Sequence, residues 1–210
     1  MPQGVRPGRP SDPDWTIIVP VKLLYTAKSR LRLPTPHRRP DYALAFARDT
    51  VAAARRCPDV TSVVVVTADP SAARALAADG ARVCRQADDT GLNSAIRHGR
   101  SARRGPIAAL TADLPALRSA ELSAALNRAA DVASAFVPDA DGTGTVLLTA
   151  TSPDRLHPRF GPESAAAHRE AGALRLDGDW PGLRRDVDTA ANLALAVTLG
   201  IGRHSAELID

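Results

Sequence analysis

Ser62-Val-Val-Val-Val-Thr67 is the stretch on which the fold turns. Four successive β-branched residues crowd a helix and pack well on a pleated surface, so the run reads as a strand. No polar residue alternates along it, so both faces must be buried, as in a largely parallel sheet covered on each side. On its carboxyl side Pro70 to Asp79 reads as a helix stopped by Gly80, and Ala81 to Cys84 as a short strand. On its amino side the apolar run Trp15 to Val21 reads as a buried first strand. A Pro- and Arg-rich loop, Pro34 to Pro40, separates that strand from a helix over Asp41 to Arg56. Leu44, Ala47, Val51 and Ala54 share one face of this helix, and Asp41 is its candidate cap. Further along, Thr90 to Arg103 is helical, Pro106 to Leu110 is a strand, and Ser119 to Asp131 is a helix. Ser134 to Val137 and Thr145 to Thr149 are short strands joined by the turn-rich Pro138 to Gly144, a hairpin pattern. His157 to Ser164 is an irregular loop that opens a helix, and Ala190 to Leu199 is a last helix ended by Gly200. The alternation predicts an α/β protein: a mostly parallel mixed sheet with helices on both faces and a β-hairpin insertion.

Composition narrows the function. At 210 residues the chain suits a single domain that buries about 70% of its unfolded surface without staples. Residues 1–13 read as a flexible tail, 14–202 as the domain and 203–210 as a short C-terminal tail. The balance of 27 basic to 23 acidic side chains is mild and spread along the chain. Seven aromatics, none interleaved with a basic run, make no stacking platform for nucleic acid. No apolar run approaches the length of about 20 that spans a bilayer, and the amino end lacks the apolar core of a signal peptide. Cys57 and Cys84 show no ligand-like spacing, so inert thiols in a reducing cytoplasm are expected.

The chemistry gathers in a few places. In Leu110 to Leu117 an apolar run climbs to a single acid, Asp113, and Pro115 then ends any strand pairing. A carboxylate at the carboxyl end of a strand is placed to hold a metal on a phosphate, and Asp is equally a preferred helix cap. The chain has only two lysines, Lys22 and Lys28, against 25 arginines, and both follow the first strand. Compact point charges there suit the gripping of phosphates by side chains, because no glycine-rich phosphate loop follows that strand. Asp186 is read as a second acid at a strand end, with Asp188 either on the same face or capping the final helix. Gly142-Thr-Gly-Thr145 and Gly161-Pro-Glu-Ser164 offer backbone N–H groups and hydroxyls to a small anion, and each is also compatible with a plain turn. Asn93 can reach a base or ribose or cap a helix, and His157 reads as a structural donor.

Taken together, several motifs resemble the CofC and FbiD family, guanylyltransferases of deazaflavin coenzyme biosynthesis. They are Val19-Pro-Val-Lys22 with Ala27-Lys-Ser-Arg-Leu31, Leu92-Asn-Ser-Ala95, Ala112-Asp-Leu-Pro115, Gly142-Thr-Gly-Thr145, His157-Pro-Arg-Phe-Gly-Pro-Glu-Ser164, and Trp180-Pro-Gly-Leu183 through Asp186-Val-Asp-Thr189. The resemblance implies a Rossmann-like nucleotidyltransferase fold. It also implies a reaction in which phosphoenolpyruvate attacks the α-phosphorus of GTP, giving enolpyruvoyl-diphospho-guanosine and pyrophosphate. Archaeal relatives are described as using 2-phospholactate, and a non-catalytic GTP-binding partner protein is the alternative of another class. By the same resemblance Asp113 and Asp186 would bind Mg2+, and Thr145, Gly161 and Ser164 would bind phosphoenolpyruvate. Lys22 and Lys28 are assigned to the GTP phosphates and Asn93 to the nucleotide. Transient contact with the downstream enolpyruvyl-phosphate transferase is a further expectation. Two departures are Thr111-Ala112 ahead of Asp113, where Gly is expected beside the acid, and Glu163 where relatives can carry Asp.

Overall fold

The computed structural model describes residues 14–32, 38–101 and 103–209. The expected tail at 1–13 and most of the loop at 34–40 lie outside them. Seven strands form one sheet: β1 (Trp15–Val21), β2 (Val60–Thr67), β3 (Arg82–Arg85), β4 (Ile107–Leu110), β5 (Ser134–Pro138), β6 (Thr145–Ala150) and β7 (Leu174–Arg175), in the order β3-β2-β1-β4-β6-β5-β7. β2 pairs with β1 and β3, β1 with β4, and β5 with β7, all parallel. β6 runs antiparallel to both β4 and β5. The helices are α1 (Arg39–Arg55), α2 (Pro70–Ala78), α3 (Leu92–Arg100), α4 (Ser119–Ala129), α5 (Ser164–Glu170), α6 (Pro181–Arg184), α7 (Ala190–Leu199) and α8 (Arg203–Ala206).

The valine run behaves as its composition requires. Val63 and Val65 join a core with Ile17, Val19, Val51 of α1, Leu76 of α2 and Leu122 of α4. Val64 and Val66 point the other way, into a second core with Ile18, Ile96 of α3 and Ala165 of α5. Successive side chains of a strand face opposite sides, so a run buried on both sides has nowhere to place a polar residue. α3 lies so close to the sheet that a Cβ on Gly99 would stand 2.7 Å from a Val66 methyl and 2.9 Å from one of Ile18.

Some elements differ from expectation. α1 starts at Arg39 with Arg38 at its cap position and Pro40 in its first turn, so Asp41 does not cap it. The cap of α2 is Asp69, whose carboxylate accepts from the N–H groups of Ser71 and Ala72. Residues 203–206, read as part of a tail, form α8. Buried Asp49 of α1 accepts from the backbone N–H groups of His204 and Ser205 at 3.1 and 2.8 Å and from the Ser205 hydroxyl. β7, α6 and α8 are too short for a periodicity to reveal. Cys57 is buried, and burial pushes its thiol up to about 11, which makes it inert. No described helix is long and apolar enough to cross a membrane.

Candidate active site at the carboxyl edge of the sheet

β1 is flanked by β2 on one side and by β4 on the other, while the chain runs from β1 to β2 and reaches β4 only after β3. Such a reversal of strand order opens a crevice at the carboxyl ends of the strands, where α/β proteins bind ligands. A cleft of about 280 Å³ occupies this place, lined among others by Lys22, Lys28, Arg30, Leu92, Asp113 and Asp188.

The first wall is the loop after β1. A turn closed on the Leu23 carbonyl by the N–H groups of Thr26 and Ala27 folds it back, and Asp69 accepts from the Leu24 N–H at 3.0 Å. Lys28 then takes a left-handed backbone conformation, with φ of 57°. This is a strained choice for a residue with a Cβ, and it sends the side chain inward. Its ammonium, with the side chain only 9% exposed, lies 2.5 Å from Asp113 Oδ2 and 3.0 Å from Asp188 Oδ1. Arg30 reaches Asp188 Oδ2 at 2.6 Å from the solvent side, and Lys22 stands exposed on the rim.

Asp113 follows β4 by three residues and caps nothing, since α4 begins only at Ser119 with Arg118 at the cap position. Its backbone is held from two sides. Thr50 Oγ1 accepts the next residue's N–H, that of Leu114, at 3.0 Å, and the Asp113 carbonyl accepts from the Val187 N–H at 3.1 Å. The second bond places Asp186 and Asp188 on either side of the residue that contacts Asp113. Asp186 was expected at a strand end, but it lies on the irregular segment between α6 and α7, positioned by this single backbone bond. A lone bond cannot extend a ladder, yet it suffices to align two acids with a third.

The electrostatics are unbalanced. Burial, with Asp113 and Asp188 next, pushes the Asp186 carboxyl up to about 7. For Asp188 burial works in the same direction, but Lys28 and Arg30 outweigh it and the net shift is downward. Burial would lower Lys28, yet its two carboxylate partners hold it above the ordinary lysine value. Asp113 Oδ1 is buried without a hydrogen-bond partner. Lys28 thus serves Asp113 and Asp188, Arg30 adds a second cation on Asp188, and Asp186 makes no ion pair among the described residues. Among the described residues no three His, Cys, Asp or Glu side chains are gathered tightly enough to enclose a metal by themselves. An ion completed by water and substrate oxygens, as magnesium prefers, is what one or two carboxylates with a free buried oxygen fit.

The second wall is beside the first, outside the residues that line the cleft itself. β4 and β6 pair Leu110 with Leu147, and the Thr111 N–H continues to the Val146 carbonyl, so Thr145 starts its strand level with Ala112. α5 is fastened to that start: the Ala165 N–H donates to the Thr143 carbonyl, the Ser164 N–H to that of Gly161, and His168 lies 2.9 Å from Thr145 Oγ1. The three residues expected around a small acid, Thr145, Gly161 and Ser164, are therefore brought together. Gly161 has φ of 139° and Glu163 φ of 54°, the twist that delivers the chain into α5. Asn93 spends both ends of its amide on Phe160, donating to its carbonyl at 2.9 Å and accepting its N–H at 2.8 Å. These bonds tie α3 to this loop and use one of the two amide N–H groups of Asn93 and one of its two oxygen lone pairs.

The sequence reading missed two contributors. Arg30 sits within the quoted Ala27-Lys-Ser-Arg-Leu31, and only the fold shows it on Asp188. His157 is exposed, and the histidine that bonds within the site is His168, four residues after Ser164 and hence on the same helix face.

The fold is that of an α/β nucleotidyltransferase. A nucleotidyl transferase from Methanothermobacter thermautotroptrophicus superposes with a TM-score of 0.61 at 18% identity, covering 89% of this chain and 97% of that one. A 4-diphosphocytidyl-2C-methyl-D-erythritol synthase from Anaerococcus prevotii does so at 0.58 and 10% identity, covering 95% and 97%. These likenesses speak for the fold. Residues 15–179 match the family described as "Guanylyl transferase CofC like", and the chain belongs to that family. Among its relatives, a phosphoenolpyruvate guanylyltransferase from Salinispora arenicola is 56% identical over 200 residues, covering 92% of each chain. One of the same name from Streptomyces coelicolor is 51% identical over 200 residues, 91% of this chain and 94% of that one.

Proposed function

We propose that this protein transfers the guanylyl group of GTP to phosphoenolpyruvate, releasing pyrophosphate. The observation that carries the reading is the adjacency of the two walls: a cluster of acids and lysine after β1 and β4, and level with it the hydroxyl- and glycine-bearing corner of Thr145, Gly161 and Ser164. The names borne by relatives at 51 to 56% identity supply the two substrates.

The attacking group, a phosphate oxygen of phosphoenolpyruvate, is ionised at neutral pH, so no general base is required. It forms a bond to the α-phosphorus as the bond to the β-phosphate oxygen breaks. The protein's task is to bring two anions together and to receive the charge that collects on pyrophosphate. Lys22, Lys28 and Arg30 supply positive charge on the nucleotide side. Thr145, Ser164 and the backbone at Gly161 orient the acceptor. Asp113 and Asp186 would hold a magnesium ion, which when bound neutralises phosphate charge and polarises the α-phosphoryl group. Lys28 already rests on the acids, so nucleotide entry must share or move its ammonium. Soluble placement in the cytoplasm and a hand-over of product to the next transferase complete the proposal.

The test is pyrophosphate release by purified protein with magnesium and GTP, offered phosphoenolpyruvate, 2-phospholactate or 3-phosphoglycerate, with ATP replacing GTP in a parallel series. Release with GTP and phosphoenolpyruvate, lost in Asp113→Ala, is the expected result. Equal release with 2-phospholactate would overturn the acceptor assignment, and GTP binding without any release would favour the partner-protein alternative.

A further inference from the structure

Thr145 opens β6, the Arg159 loop lies ahead of α5, and one buried side chain touches both. His168 is 0% exposed. Its ring stands edge-on to Phe160 with centroids 5.1 Å apart, and Phe136 of β5 lies at 5.9 Å. The Arg159 backbone N–H points at Nε2 from 2.9 Å, and Thr145 Oγ1 lies 2.9 Å from Nδ1. A backbone N–H can only donate, so Nε2 must offer a lone pair, and a neutral ring then carries its proton on Nδ1. Nδ1–H donates to the Thr145 oxygen. With that oxygen accepting from the ring, the threonine's own hydrogen is left to donate elsewhere.

We infer that His168 is a positioning residue of the acceptor subsite, holding Thr145 so that its hydroxyl donates outward to the anionic acceptor and holding the Arg159 backbone so that the loop keeps its course to Gly161 and Ser164. This rests on the reading of Thr145, Gly161 and Ser164 as the acceptor's contacts. The surroundings keep the ring in the state the bonds require: burial, assisted by Arg159 and opposed by a backbone hydrogen bond at Ser164, pushes His168 down to about 4. A protonated ring would set Nε2–H against the Arg159 N–H and break the arrangement. Asn93 holds the same loop one residue further on, at Phe160, so the subsite is fixed from α3 and from α5 together.

The experiment compares wild type, His168→Gln and His168→Asn in pyrophosphate release, with phosphoenolpyruvate and GTP varied separately. An asparagine amide N–H can take the place of Nδ1–H, whereas a glutamine amide reaches only the place of Nε2. His168→Gln is expected to raise KM for phosphoenolpyruvate roughly tenfold, about the worth of one hydrogen bond, while KM for GTP stays within about twofold. His168→Asn should recover the part of that loss that passes through Thr145 and keep the part due to the unpaired Arg159 N–H. In a Thr145→Val background His168→Gln should add nothing, because its effect passes through the hydroxyl. An unchanged KM for phosphoenolpyruvate, or equal rises for both substrates, in an active and folded protein would overturn the inference. If wild type itself does not use phosphoenolpyruvate, the functional reading fails instead. Nitrogen-15 spectra of histidine-labelled protein then decide about His168: a neutral ring with its proton on Nδ1 supports the inference, and a proton on Nε2 or a charged ring at neutral pH overturns it.

Discussion

The two walls of the site are built on opposite principles. Around Lys28 the protein tolerates a left-handed lysine, a buried carboxylate oxygen without a partner and an acid pushed up to about 7. Around His168 both ring nitrogens are bonded and both ends of the Asn93 amide are used. The first wall stores unbalanced charge that a phosphate and a cation can settle. The second is rigid before anything binds. This contrast suits a reaction in which the chemistry is charge neutralisation and the selectivity is shape.

The sharpest way to break the contrast is to remove the one buried cation. Lys28→Met leaves Asp113 and Asp188 facing each other; both acids are partly exposed, at 24% and 35%, so the loss should lie at the low end of a buried ion pair's, about 3 kcal/mol. Urea unfolding should show that loss, and added magnesium should restore more stability to the variant than it gives wild type. Asp113→Ala comes next. By analogy with deleting one preorganised electrostatic group it should cost about 3 to 4 kcal/mol in the transition state, seen as a fall in kcat with fold and GTP binding retained. On the satisfied wall, Thr145→Val should leave kcat nearly intact and raise KM for phosphoenolpyruvate, because a hydrogen bond to a charged group is worth about 1.5 to 3 kcal/mol.

A separate effect is a pH slope from Asp186. Its folded value of about 7 lies above the ordinary 3.8. As pH rises from about 4 to 7 the unfolded chain gives up this proton while the folded protein keeps it. The unfolded state therefore binds fewer protons, and stability falls with rising pH across that window before levelling off. The difference between denaturant titrations of metal-free wild type and of Asp186→Asn should show this decline. His168 acts in the opposite sense: its folded value of about 4 lies below the ordinary 6.5, so between them the unfolded chain takes up a proton that the folded protein does not, and stability rises with pH up to about 6.5.

How far these features were legible depends on how local their causes are. The valine run identified a strand buried on both faces because β-branching and the absence of alternation act within six residues. Asp113 was placed after a strand because Pro115 cannot continue the ladder. Its freedom from a capping duty was not legible, since Asp serves either role and only the start of α4 at Ser119 separates them. Asp186 was assigned to the wrong kind of element: its position comes from the Val187 N–H meeting the Asp113 carbonyl, a contact across 74 positions that leaves no periodicity in the chain. His168 carried no signal beyond its spacing from Ser164, because a histidine on a helix gains its meaning from what packs against it.

The sequence by itself determined the layered α/β architecture, the hairpin that inserts β6, and the list of groups available for chemistry, since each depends on local sterics, turn preferences and residue type. Tertiary structure alone decided which of those groups meet. The reversal of strand order at β1 and the antiparallel β6 bring Lys28, Asp113, Asp188 and Thr145 to one edge, where burial raises the Asp186 carboxyl and the Arg159 N–H sets the tautomer of His168. Both are long-range effects, in which the energy of a side chain depends on neighbours that the chain reaches only by folding.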